Sequence, residues 1–173
     1  MPPRLRKFLL TAHVVSSVGA LGAVAVFLAL AIAGLNADDS AIVRAAYLAM
    51  ELAARFVIVP LVFAALLTGL LQSLATAWGL FRHYWVIVKL LLTVLTVVVL
   101  MLQMEGIGYV ARMAAEMTLS AADLRAARIS LVTHAAGGLL VLLAAAALSV
   151  YKPRGMTRYG WRKQYGERAV SAP

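Results

Sequence analysis

The chain contains no cysteine, which excludes disulfide frameworks, thiolate zinc sites, iron–sulfur clusters and cysteine nucleophiles. Charge is also scarce. Charged residues fill 13% of the 173 positions while hydrophobic residues fill 64%, against roughly 25% and 45–50% in soluble domains. A water-soluble domain of this length needs more polar surface than that to cover its core. Acids are the rarest charged type, with 7 Asp and Glu against 16 Lys and Arg, and no two of them share an apolar run. No HExxH, Gly-rich phosphate loop or G-x-S-x-G is present, so the patterns that carry common hydrolytic and phosphoryl-transfer chemistry are missing. The composition predicts an integral membrane protein, and the lack of a catalytic cluster favours a non-enzymatic one.

What is present is apolar sequence in long runs. A helix needs about 20 mostly apolar residues to cross a ~30 Å hydrocarbon layer, and four runs qualify: 8–35, 56–77, 85–102 and 129–150. They lack strand alternation, so each is expected to be helical, which satisfies its backbone internally. The expected fold is an all-α, antiparallel four-helix membrane bundle over 1–151, followed by a basic tail over 152–173. Ser40 is a candidate cap for a helix that starts before the second run, and Ser120 with Asp123 reads as a capping box before the fourth. Pro60 should kink its helix. Residues 105–117 fit either a short surface helix or a solvated connection. The first run follows basic residues and contains Ala29, Ala31 and Ala33 in an Ala-x-Ala pattern, but it is too long for a signal-peptide core and reads as an uncleaved anchor.

The basic residues set an orientation. One side collects Arg4, Arg6, Lys7, Arg82 and six cations after the last run, while the other holds Arg44, Arg55, Arg112, Arg125 and Arg128. The positive-inside rule then predicts that both termini are cytoplasmic. The tail residues Lys152, Arg154, Arg158, Arg162 and Lys163 alternate with Tyr159, Trp161 and Tyr165. Directly after a cytoplasmic span, this mixture points to anionic lipid rather than nucleic acid.

Polar side chains inside the runs are the candidate site residues, because hydrocarbon penalises them. His13 lies about five residues into the first run, roughly 7–8 Å below the inner surface, and Gln72 of the second run reaches a similar depth. His83 stands at the mouth of the third run. His134 lies equally far below the outer surface, so His13 and His134 cannot ligate one haem iron, and His13 with His83 is the better axial pair. A haem, quinone or copper site is the alternative to a hydrogen bond between His13 and Gln72 that simply joins two helices. Lys89 is a candidate counter-ion or substrate contact within the bundle, but four residues from Trp85 it reads first as a side chain that extends to the headgroups. Glu51 and Arg55 are spaced for a surface ion pair. Lipids, a membrane-protein partner or a second copy of the chain are the expected partners.

The segments 78–96 (WGLFRHYWVIVKLLLTVLT) and 148–160 (SVYKPRGMTRYG after Leu148) resemble a family of small four-span bacterial membrane proteins, frequent in actinobacteria, to which no function is assigned. The first span, with His13 among small apolar residues, is distantly similar to copper-resistance D type proteins and b-type cytochrome bundles. The resemblance implies a bacterial plasma-membrane location and transfers no ligand or catalytic residue.

Overall fold

The computed structural model describes residues 2–75, 80–116, 122–153 and 155–162. Helix dominates: α1 (Pro3–Asn36), α2 (Ser40–Ala53), a π-helical turn (Ala54–Ile58), α3 (Val59–Ala75), α4 (Tyr84–Ala115) and α5 (Ala122–Tyr151). The π-turn joins α2 and α3 into one rod, so among the described residues four helices are long and apolar enough to cross a membrane. α1 packs on α3, α2 and α5, and α4 packs on α5, α2 and α3, an arrangement compatible with a helical bundle.

The helices extend beyond the apolar runs because helix formation does not stop at a change in polarity. α1 begins at Pro3, a proline at the first helical positions, where its fixed φ suits the helix and its missing N–H costs nothing. Arg4, Arg6 and Lys7 therefore occupy its first two turns. The cap of α2 is Asp39 rather than Ser40: the Asp39 carboxylate accepts the Ala41 N–H at 2.8 Å, and Ser40 is the first helical residue. α4 continues thirteen residues past Leu102. The expected loop at 105–117 is therefore helical as far as Ala115, because Ile107, Val110, Ala111 and Ala114 are buried along one face at the i, i+3, i+4, i+7 spacing of a packed helix. Val43, Ala46, Tyr47, Met50 and Ala54 give α2 the matching stripe. Of the proposed capping box, Ser120 lies outside the residues described, and Asp123 falls in the first turn of α5.

The turn at Ala54–Ile58 sits immediately before Pro60. The Val59 N–H bonds back to the Ala54 carbonyl, one residue further than in an α-helix, and widening of this kind relieves the clash a proline ring makes with the preceding turn. Thr68, Thr93 and Thr96 return their hydroxyls to carbonyls of their own helices.

Burial is uneven along the molecule. The core gathers Phe27, Ala31, Tyr47, Met50, Ile58, Val62, Ile107, Val110 and Leu131 toward the end where α1 finishes. Arg128 of α5 closes that end. Its Nε donates to Tyr47 Oη at 2.8 Å, and its Nη2 donates to the Gly34 carbonyl and to the Leu35 carbonyl at 3.3 Å. The guanidinium thus caps carbonyls at the C-terminus of α1, where the helix dipole favours a cation.

At the opposite end, Lys152 ends α5 with φ 42°, and the chain folds back on the 80–83 turn. Thr157 donates its N–H to the Arg82 carbonyl at 3.0 Å and its hydroxyl to the Phe81 carbonyl, while Gly160 N–H donates to Thr157 Oγ1 at 3.0 Å. Met156 forms an isolated bridge with His83. The start of the basic tail is therefore docked on this turn, with Arg158 and Arg162 exposed; Arg154 and Lys163 lie outside the described residues.

Candidate functional site

His13 stands where α1 meets α3 and α4. Its Nδ1 lies 3.0 Å from the Ala65 carbonyl and 3.1 Å from Thr68 Oγ1, and its Nε2 lies 3.2 Å from Lys89 Nζ. A carbonyl only accepts, so Nδ1 carries a proton. Lys89 as an ammonium only donates, so Nε2 supplies the lone pair. The arrangement is consistent for a neutral imidazole beside a charged lysine, and equally for an imidazolium beside a neutral amine. One proton lies between Nε2 and Nζ, and the Nδ1 proton is fixed by Ala65. Gly69 makes this approach possible: a Cβ there would stand 2.9 Å from His13 Cε1.

Lys89 therefore does not stand apart as an extended side chain, as its proximity to Trp85 suggested; it turns to His13. Gln72 also has a different partner from the expected one. Its amide donates to the Leu9 carbonyl at 2.7 Å, tying α3 to α1 one turn away from the imidazole.

These residues border a cleft of about 320 Å³. Arg6, Lys89 and Lys152 bring three basic side chains to it from three parts of the chain, alongside His13, Gln72, Ser73 and Thr93, and among the described residues no carboxylate lines it. Every acidic side chain described lies at 38–51 or 105–116, in segments that build the other half of the molecule. With basic side chains and hydrogen-bonding groups beside aliphatic walls, the cleft suits an anionic head carried on an apolar body. Compared with known proteins, the chain matches no family model, no curated protein and no solved structure. Its chemistry must be read from its own residues.

The remaining candidates fall elsewhere. His83 caps the start of α4, with its ring 6.4 Å from that of Trp85, and it does not line the His13 cleft. His134 belongs to α5 and lines a separate, largely aliphatic cleft with Gln103, Gly137 and Gly138. Among the described residues no group of three or more His, Asp or Glu is placed to hold a metal ion. His13 and Gln72 thus share one site, while His83 and His134 lie in two other settings. Sequence reasoning missed Lys89 as the partner of His13. The signal was available: His13 lies about five residues into its run and Lys89 four residues after Trp85, so counting from the same surface places them at one depth.

Proposed function

We propose that the chain is a multi-pass protein of the bacterial plasma membrane, an antiparallel four-helix bundle whose His13 end faces the cytoplasm. It acts by binding rather than catalysis, recognising the headgroup of an anionic lipid in the inner leaflet. Four helices of sufficient length and hydropathy, and the concentration of basic residues at the proposed inner side, support this reading. The observation that carries it is the convergence of Arg6, Lys89 and Lys152 on a cleft that, among the described residues, no carboxylate lines. A phosphodiester offers oxygens that these cations and the Gln72 amide can bind by charge-assisted hydrogen bonds. The exposed basic residues Arg158 and Arg162 would add a screened attraction to the same leaflet.

Native mass spectrometry of the purified protein, exchanged into mixed micelles of phosphatidylglycerol and phosphatidylcholine, tests the proposal. The expected result is selective retention of phosphatidylglycerol, reduced at least fivefold by Lys152→Gly together with Arg6→Gln. Both positions are exposed, and glycine suits the left-handed backbone at 152, so the double variant removes charge without straining the fold. Equal retention of the two lipids by the wild-type protein would contradict the reading.

A further inference from the structure

The second cleft lies at the other end of the molecule and differs in chemistry from the first. It measures about 270 Å³ between α1, α4 and α5, and its walls are mainly aliphatic and aromatic, including Val24, Phe27, Leu100 and Leu131. Four polar side chains border it. Thr96 and Thr133 spend their hydroxyl protons on the Leu92 and Ile129 carbonyls of their own helices. His134 closes one ring nitrogen on its own helix and leaves the other open, and Gln103 makes no such bond. His134 Nδ1 lies 2.7 Å from the Ser130 carbonyl, which fixes the proton on Nδ1 and leaves Nε2 a lone pair in the neutral ring. Among the described residues nothing bonds to Nε2, and nothing bonds to the Gln103 amide.

His134 is exposed on the side of the bundle, so its Nε2 lone pair, like the Gln103 carboxamide just past the third run, carries an energetic demand that surrounding lipid cannot meet. The space beside them is already open. A Cβ built on either Gly137 or Gly138 meets nothing within 4 Å, so these glycines keep the floor of the cleft clear next to His134. A flat ring fits against such a floor, and the aliphatic walls can continue to a lipid-soluble tail.

We infer that this cleft binds a lipid-soluble quinol, with one ring hydroxyl donating to His134 Nε2 and the second ring oxygen meeting the Gln103 amide, which can donate or accept. A fatty acyl chain would fill the walls but satisfy neither polar group; a ligand with a single hydroxyl would satisfy one. The inference concerns binding alone and includes no electron transfer. It is independent of the headgroup site, because none of the residues it uses borders the His13 cleft.

Binding of decylubiquinol to the detergent-purified protein, measured by equilibrium dialysis under anaerobic conditions, provides the test. Decylubiquinol dimethyl ether, which cannot donate a proton, serves as the matched probe. The expected result is saturable binding of one quinol per chain. His134→Leu and Gln103→Leu should each weaken it about five- to tenfold, the loss typical of one hydrogen bond, and Gly138→Leu should abolish it by filling the cleft. The ether should bind the wild-type protein about five- to tenfold more weakly and be insensitive to His134→Leu. Unsaturable uptake that is equal in the wild type and Gly138→Leu, or an ether that binds as tightly as the quinol, would overturn the inference. If a leucine variant fails to fold, the comparison of quinol with ether on wild-type protein decides the question alone. Retention of phosphatidylglycerol by the same variants reports separately on the site at the other end.

Discussion

Glycines in this chain do opposite jobs depending on what faces them. At Gly69 an added methyl would stand 2.9 Å from His13 Cε1, whereas at Gly22 it would meet nothing within 4 Å. Gly69→Ala is therefore expected to push the imidazole off the Ala65 carbonyl and away from Lys89. The cost should be about 1–3 kcal/mol, the usual penalty for overpacking a closed contact. Gly22→Ala should cost nothing, since it adds a methyl in open space and removes a flexible residue from a helix. Thermal unfolding of the two variants in detergent checks the contrast, and a loss of stability in Gly22→Ala equal to that in Gly69→Ala would contradict it. Residue-scale chemistry was partly legible in the sequence. His13 and Gln72 could be singled out because polar groups in apolar runs are rare, and Glu51 with Arg55 does form the expected i, i+4 pair at 3.1 Å. The partner of His13 was legible only in depth, because a lysine near a span end has a cheaper alternative in water, and only the third dimension shows that it turns inward. Nor could spacing reveal that Arg128 reaches across to cap α1, a contact between residues more than ninety positions apart.

Element boundaries were harder to read than element existence. Counting apolar runs found four helices because each must cover the same thickness of hydrocarbon, but it stopped α4 at Leu102, where charged residues begin to punctuate the sequence. The stretch to Ala115 stays helical through a narrow buried stripe that a run count cannot detect and a period of 3.6 can. The π-turn was invisible to any composition argument; only Pro60 hinted at it. Since a π-turn holds one residue more than the α-helix would, removing an exposed residue within it should restore an ordinary helix and leave both flanking faces in register. Deletion of Phe56 is thus expected to lower the unfolding temperature much less than deletion of Val94, which rotates the rest of α4 by about 100°. Equal losses would mean that the turn has a packing role beyond accommodating the proline. The docked segment after α5 carries a further expectation. A Cβ at Gly160 would lie 2.5 Å from the Arg82 carbonyl oxygen, and backbone cannot yield as a flexible side chain does. Gly160→Ala should release the segment from the 80–83 turn and expose Arg158 and Arg162 to trypsin, with cleavage several-fold faster than in the wild type.

On the scale of the whole molecule, the two ends are chemically distinct. The Arg128 end holds the closest packing and the described acids, whereas the His13 end is more open, basic and bordered by a docked cationic segment. The large hydrophobic side chains that remain exposed, among them Phe8, Val15, Val18, Leu67, Leu91, Leu102 and Leu140, are distributed over all four long helices rather than confined to one patch. That pattern suits a surrounding apolar solvent better than a single partner surface. Both proposed binding sites depend on this placement, since a headgroup site requires the His13 end to face the inner leaflet, and a quinol site requires lipid around the helices. The absence of native cysteine makes the arrangement directly measurable, because any thiol introduced is the only one present. The decisive measurement is labelling of intact cells with a membrane-impermeant maleimide, comparing single cysteines introduced as Ser40→Cys and Arg158→Cys. The account predicts that the cysteine at 40 is labelled in intact cells and the cysteine at 158 only after the membrane is opened; labelling at 158 in intact cells with protection at 40 would contradict it.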